Sequence, residues 1–145
     1  RNQSNLPIGV LKRISTALGV QMNWFFHASD SPAGERDVVV RAHNRRQLSF
    51  TGIGIEEELL SPNLSGPLEL LLSTLEVGAD SGEYSHDGVE AGFVLAGRLD
   101  LWVGDRFFRL EEGDSFSFRS TEVHRCANSG TVTTKVLWVI TPPSY

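Results

Sequence analysis

Residues 84–103 read YSHDGVEAGFVLAGRLDLWV, and this stretch combines strand-forming sequence with side chains that can bind a metal. Polar and apolar residues alternate over its last third, as they do along a half-buried strand. His86 and Glu90 stand on either side of Asp87-Gly88, a pair of residues typical of a tight turn. The stretch therefore predicts β-structure in which two side chains that can bind a metal lie beside one turn.

The sequence on both sides of this stretch continues the β pattern. Turns rich in Gly, Asn and Asp separate short β-rich segments at close intervals, which we place at Val38–Arg41, Ile53–Leu60, Leu68–Val77, Gly92–Leu95, Arg98–Val103, Phe107–Leu110, Ser115–Phe118, Val123–Ala127 and Val132–Thr141. Many short strands with regular turns favour an antiparallel sandwich or jelly roll, so the fold class is mainly β. We interpret Glu56-Glu57-Glu58 as part of a strand whose acidic side chains face solvent.

Size and composition restrict the class of protein. The 145 residues correspond to one ordinary domain, or to one domain and a fragment of a second. Cys126 is the only cysteine, so the fold does not depend on a disulfide. We see no signal peptide and no run approaching the roughly 20 apolar residues that cross a bilayer. We therefore expect a cytoplasmic protein with no membrane partner.

The first 26 residues differ from the rest. Apolar residues in 6–26 recur at the spacing of a buried helix face, Asn5 is a suitable N-cap and Gly19 a suitable stop. Residues 1–26 carry three basic side chains and no acidic one, which is weak support for a segment facing nucleic acid. Because residue 1 is Arg and not Met, we expect the chain to be part of a longer protein.

His86, Glu90 and His124 are the candidate metal ligands. If the loop is Asp87-Gly88-Val89, an odd length, then His86 and Glu90 both point inward, whereas a two-residue loop would place them on opposite faces. Two imidazoles and one carboxylate form a facial set that leaves coordination positions open, and zinc, iron, nickel and manganese all remain candidates. The alternative is a metal-free polar cluster, in which a buried Glu90 needs an Arg or a proton.

The same residues resemble the two signature motifs of the cupin superfamily, which implies a double-stranded β-helix, or jelly-roll, barrel over about residues 48–145. The matching positions are Gly78, Tyr84-Ser85-His86, Glu90 and Gly97 for the first motif, and Gly113, Arg119, Thr121, His124 and Asn128 for the second. Tyr84 replaces the first histidine, and Arg119 and Thr121 replace a Pro and a Gly. Because a phenol ionises only near pH 10, we expect Tyr84 to hydrogen-bond an effector or water and not to bind metal.

A narrower resemblance involves both ends of the chain. Residues 5–26 look like the closing helices of an Xre-type helix-turn-helix domain, and residues 137–143 are similar to the ending of the cupin regulators typified by the putrescine-utilisation repressor. This resemblance implies three parts: 1–26 as the remnant of a DNA-binding domain, 27–47 as a linker and first strand, and 48–145 as a cupin sensor. Members of this family generally form homodimers, and dimers suit the paired half-sites of operator DNA.

Two functions follow as expectations. The first is a transcriptional regulator whose cupin domain binds a metal, a small-molecule effector or both, and controls operator binding by the helix-turn-helix domain. The alternative is a mononuclear non-haem Fe(II) oxygenase or epoxidase, because the same ligand set leaves sites for oxygen and substrate. We favour the regulator over the enzyme, on resemblance.

Overall fold

The computed structural model describes residues 10, 13–14, 16–17, 31–50 and 53–143. Within these residues the chain forms a short 3₁₀ helix, Ala42–Asn44, and the strands β1 Arg46–Phe50, β2 Ile55–Leu59, β3 Glu69–Leu75, β4 Val89–Ala96, β5 Arg98–Val103, β6 Arg106–Glu111, β7 Ser115–Arg119, β8 His124–Ala127 and β9 Thr134–Thr141. The predicted mainly-β class is confirmed. Residues 10, 13, 14, 16 and 17 are helical, and the rest of the predicted segment 6–26 lies outside the described residues.

The strands form two antiparallel sheets. The larger has six strands in the order β1-β2-β3-β9-β4-β7, and the smaller has three in the order β6-β5-β8. Buried residues of both sheets meet in one hydrophobic cluster, which includes Leu71, Val94, Leu99, Leu101 and Val136. Burying a side chain of this size contributes about 1.5–3 kcal/mol, so this shared interior is the main stabilising contact between the sheets.

Alternation along the strands creates the interior. Every second side chain of β3 is buried, and β9 alternates in the same way with Val136, Trp138 and Ile140 inside. The chain passes from β4 in one sheet to β5 in the other through Gly97 alone, whose φ is +76°. A Cβ there would lie 2.6 Å from the carbonyl oxygen of Thr133, so this corner requires glycine.

One predicted strand is wrong, because the segment before β1 forms a turn. Val38–Arg41 reads as a strand, but backbone NH groups of Val38 and Val39 both donate to the carbonyl of Glu35, at 2.9 and 2.8 Å. The Arg41 guanidinium also binds the Glu35 carboxylate. These local bonds satisfy the backbone in a turn, and they outweigh the strand preference of the β-branched residues. The first strand is instead Arg46–Phe50, and the predicted domain boundaries remain predictions.

None of the helices in the described part of the chain has the length and apolar character needed to span a membrane.

Candidate metal centre and cavity

His86 lies in an extended loop that is fixed to β8 before β4 begins. Tyr84 and His124 exchange backbone hydrogen bonds of 3.0 and 2.9 Å, and the NH of His86 donates to the carbonyl of Ser120 at 2.9 Å. The turn into β4 contains Gly88, with φ +107°, and a Cβ there would lie 2.1 Å from the carbonyl oxygen of Thr141. Only glycine fits this turn, which brings His86 back over the start of β4.

The three predicted ligand residues converge. Nε2 of His86 lies 2.6 Å from Oε1 of Glu90, and Nε2 of His124 lies 3.1 Å from the same oxygen. All three ligand atoms lie within 4.8 Å of one another. Ligand atoms about 2.1 Å from a common metal ion lie roughly 3–3.5 Å apart, so small shifts would suffice to accommodate one. His86 and Glu90 thus both point into the cluster, but the predicted hairpin is wrong: Val89 already belongs to β4, and the segment containing His86 pairs next to β8 and not with β4.

Backbone carbonyls orient both imidazoles. Nδ1 of His124 lies 2.7 Å from the carbonyl oxygen of Glu122, and Nδ1 of His86 lies 2.9 Å from that of Asp87. Because a carbonyl only accepts hydrogen bonds, each Nδ1 carries a proton and donates it. In each neutral ring, Nε2 then presents its lone pair toward Glu90, which is the tautomer that a metal ligand requires.

The electrostatics of this cluster fit a cation. Glu90 and His124 are each 1% exposed, and the buried Nε2 of His124 has no well-oriented hydrogen-bond partner among the described residues, despite its proximity to Glu90. Burial lowers the pKa of His124, but the Glu90 carboxylate and the Glu122 carbonyl outweigh it, and the net shift of this pKa is upward. A buried carboxylate facing two nitrogen lone pairs is costly without a shared positive charge, which either a proton or a divalent metal supplies.

Tyr84 lies beside the two histidines. Its ring centroid is 4.2 Å from that of His124 in an edge-on arrangement, and 6.3 Å from that of His86 in a stacked one. Burial, followed by the influence of Cys126 and the carboxylates of Glu90 and Glu57, raises the pKa of Tyr84 well above its usual value. The phenol therefore remains protonated and is suited to donate a hydrogen bond. Its predicted contact with an effector remains a prediction.

A cavity of about 360 Å³ adjoins this cluster. Its polar lining near the histidines comes from Tyr84, His86 and Glu90, and the thiol of Cys126 is close by. Burial raises the pKa of that thiol to about 12, so Cys126 remains protonated and behaves as a small buried hydrophobe. The remaining lining is mostly apolar, from Ile53, Ile55, Leu71, Leu75, Trp138 and Ile140. Such a space accommodates a small molecule with a polar group at the histidine end.

The position of the Glu57 side chain differs from the prediction. The sequence predicts that it faces solvent with its two acidic neighbours, but it lines the cavity and accepts a hydrogen bond of 3.1 Å from Oγ of Ser73. The physical reason is the period of the strand, since Ile55 and Leu59 are buried and Glu57 lies between them at the same parity. The alternation of Ile55, Glu57 and Leu59 can be read from the sequence, but the acidic residues on both sides of Glu57 favour the interpretation of an exposed strand face.

Comparisons with known proteins agree with this fold. Residues 71–140 match the Cupin_2 family, a cupin domain. The HTH-type transcriptional regulator PuuR of Escherichia coli K12 is 22% identical over 139 residues, which cover 95% of this chain and 74% of PuuR. The Cupin_2 domain of an XRE family transcriptional regulator from Enterobacter cloacae has a TM-score of 0.57 at 20% identity, over 62% of this chain and 98% of that one. A predicted oxalate decarboxylase from Thermotoga maritima has a TM-score of 0.58 at 22% identity, over 71% and 97%.

Proposed function

We propose that this chain, which contains a cupin domain, is the sensor part of a transcriptional regulator. Its cavity binds a divalent metal, a small-molecule effector or both, and occupancy controls operator binding by an N-terminal helix-turn-helix domain. The observation that carries the proposal is the convergence of His86, Glu90 and His124 beside a cavity that the first two of them line. Similarity to PuuR over 95% of the chain supports the regulatory role.

In this proposal His86 and His124 hold the metal through Nε2, and Glu90 holds it through Oε1. Zinc, iron, nickel and manganese all suit two imidazoles and a carboxylate. The metal would supply a positive charge beside the cavity, to which an oxygen or nitrogen of the effector could bind. Tyr84, protonated at the same end of the cavity, would donate a hydrogen bond to that effector.

The regulatory step needs a modest coupling energy. Residues 1–26 are proposed as the end of the DNA-binding domain, and the protein is proposed to act in the cytoplasm as a homodimer on two operator half-sites. An effector that favours one dimer geometry by about 1–3 kcal/mol changes DNA affinity by about 5–150-fold. This range is sufficient for a transcriptional switch.

The test uses the full-length gene product and DNA from upstream of its own gene. Fluorescence anisotropy measures operator affinity for the metal-free protein, for the protein loaded with Zn²⁺, Fe²⁺, Ni²⁺ or Mn²⁺, and for the His124→Ala variant. We expect specific binding that changes with metal or with a cellular extract of small molecules, and a loss of that response in the variant. Absence of specific DNA binding in every condition would refute the regulatory proposal.

The alternative function is a mononuclear Fe(II) oxygenase or epoxidase. The observation in its favour is that the facial set of two histidines and one carboxylate borders a cavity large enough for a substrate. Oxygen uptake by the Fe²⁺-loaded protein distinguishes the two functions when it is measured beside DNA binding. Substrate-dependent oxygen consumption that the Glu90→Gln variant lacks would favour the enzyme, and operator binding without turnover would favour the regulator.

A further inference from the structure

The cavity contains a second polar group at a distance from the histidines. Glu57 on β2 and Ser73 on β3 are direct partners in the antiparallel register. Oγ of Ser73 donates to Oε1 of Glu57 at 3.1 Å, and Ser73 itself is only 2% exposed. Both residues line the cavity. The buried hydroxyl therefore holds the carboxylate in one orientation at the cavity wall.

Strand order separates this pair from the metal centre. Glu57 lies on β2 and Glu90 on β4, with β3 and β9 between them in the large sheet. Three steps of about 4.8 Å amount to roughly 14 Å along the sheet before curvature is taken into account. The two intervening strands contribute apolar side chains to the cavity, namely Leu71 and Leu75 from β3 and Trp138 and Ile140 from β9. Along the large sheet, apolar side chains therefore separate Glu57 from Glu90, whereas Tyr84 and Cys126 line the same cavity within electrostatic reach of both carboxylates.

We propose that Glu57, oriented by Ser73, is a second recognition group that selects ligands carrying an N–H or O–H donor in addition to the group that binds the metal. This inference rests on the proposed effector-binding function and specifies the ligand class. A carboxylate only accepts hydrogen bonds, so the ligand group that meets it has to be a donor. A purely apolar end would remove water from the carboxylate without replacing its hydrogen bonds, which weakens binding.

The probes are three acids of equal chain length: hexanoate, hydroxyhexanoate and aminohexanoate, with the hydroxyl or amino group at the far end. Their carboxylate can bind the metal, so the three differ only in the group presented to Glu57. Isothermal titration calorimetry of the Ni²⁺-loaded full-length protein measures each affinity. We expect at least one donor-ended acid to bind about tenfold or more tightly than hexanoate, as one well-made charge-assisted hydrogen bond allows. The hydroxyl and amino compounds separate a neutral from a charged donor, and preference for either supports the proposal.

The variants test which carboxylate is responsible. Glu57→Leu removes the acceptor, and we expect it to abolish the preference for donor-ended acids while Ni²⁺ content stays unchanged. Glu56→Leu is the matched control, because Glu56 lies on the same strand with its side chain exposed. If Glu57→Leu does not fold, Glu57→Gln keeps the shape and should reduce the preference for the amino compound in particular.

The outcomes separate this inference from the proposed function. Equal binding of all three acids by the Ni²⁺-loaded protein, or a donor preference that persists in Glu57→Leu, would overturn the role of Glu57 alone. A protein that takes up no Ni²⁺ or other divalent metal would instead contradict the metal-dependent function. In that case the same titrations with metal-free protein still decide whether Glu57 selects a donor.

Discussion

Replacement of Gly92 by Ala tests the packing behind the cavity wall. Gly92 lies on β4, and a Cβ there would meet the ring of Phe116 at 2.3, 2.8 and 2.9 Å. Normal contact requires about 3.5 Å, so the ring has to move by roughly 1 Å. The Phe116 ring also meets Trp138 edge-on, with centroids 4.9 Å apart, and Trp138 lines the cavity. The substitution therefore strains the packing around the ring and also weakens this aromatic contact.

The expected cost follows from these contacts. Overpacking of this kind costs about 1–3 kcal/mol, and loss of an aromatic pair adds about 0.5–1.5 kcal/mol. Alanine recovers about 0.5–1 kcal/mol, because it is less flexible than glycine in the unfolded chain. We expect the free energy of unfolding of Gly92→Ala to fall by about 2–3 kcal/mol, or Tm by roughly 5–10 °C for a domain of this size.

Chemical denaturation and calorimetry of both proteins provide the measurement. Gly66→Ala is the matched control, since a Cβ at Gly66 meets nothing within 4 Å. It should change the unfolding free energy by less than about 0.5 kcal/mol. Adding Phe116→Leu to Gly92→Ala should recover part of the loss, because the smaller side chain makes room for the new methyl group. Equal stability of Gly92→Ala and Gly66→Ala would refute this packing argument.

Four further predictions concern the site. Glu90→Gln should lower metal affinity by about 100-fold or more, because the amide lacks the ligand charge; calorimetric titration with Zn²⁺ measures this, and unchanged affinity would exclude Glu90 as a ligand. Tyr84→Phe should leave metal content unchanged and weaken effector binding by about tenfold, the value of one hydrogen bond, with equal affinity counting against a contact. Because the pKa of His124 is raised in the folded protein, protonation of His124 should stabilise the metal-free protein below about pH 6.5, and this contribution should be lost as the pH rises through the raised pKa. Melting temperatures measured against pH test this direction, and the His124→Gln variant should lack the effect. Cys126, with a pKa of about 12, should react with iodoacetamide at about pH 8 only after unfolding, and rapid labelling of the native protein would contradict its burial.

The sequence predicts a strand correctly where several local features of the sequence indicate the same boundaries. Arg98–Val103 matches β5 to the residue, because alternation inside the strand and Gly104-Asp105 after it give the same boundary. The sequence predicts correctly that His86 and Glu90 both point inward, but His86 reaches the site from an extended loop beside β8 and not from a hairpin with β4. Where two local signals compete, prediction fails. Val38–Arg41 has β-branched residues but satisfies its backbone within a turn.

The features of the cavity that the sequence does not predict depend on pairing between strands that lie far apart in the chain. Glu57 belongs to the cavity because β2 pairs with β3, and β3 pairs with β9, a strand roughly 60 residues further along the chain. Neither the size of the cavity nor the place of Glu57 in its lining can be obtained before that order is known. Arg46–Phe50 escapes prediction because it is a largely polar strand at the edge of the sheet, where β2 is its one partner among the described strands.

The carbonyl contacts of the two imidazole Nδ1 atoms have a kinetic consequence. Because Glu122 and Asp87 hold the rings through the main chain, neither ring can rotate to follow an ion that enters or leaves. If the proposed metal binds, capture of a suitably sized ion would therefore need little rearrangement, and release would require several bonds to lengthen together. Oversized ions such as Cd²⁺ would have to stretch both main-chain contacts, so they should exchange faster than Zn²⁺ and be displaced by it.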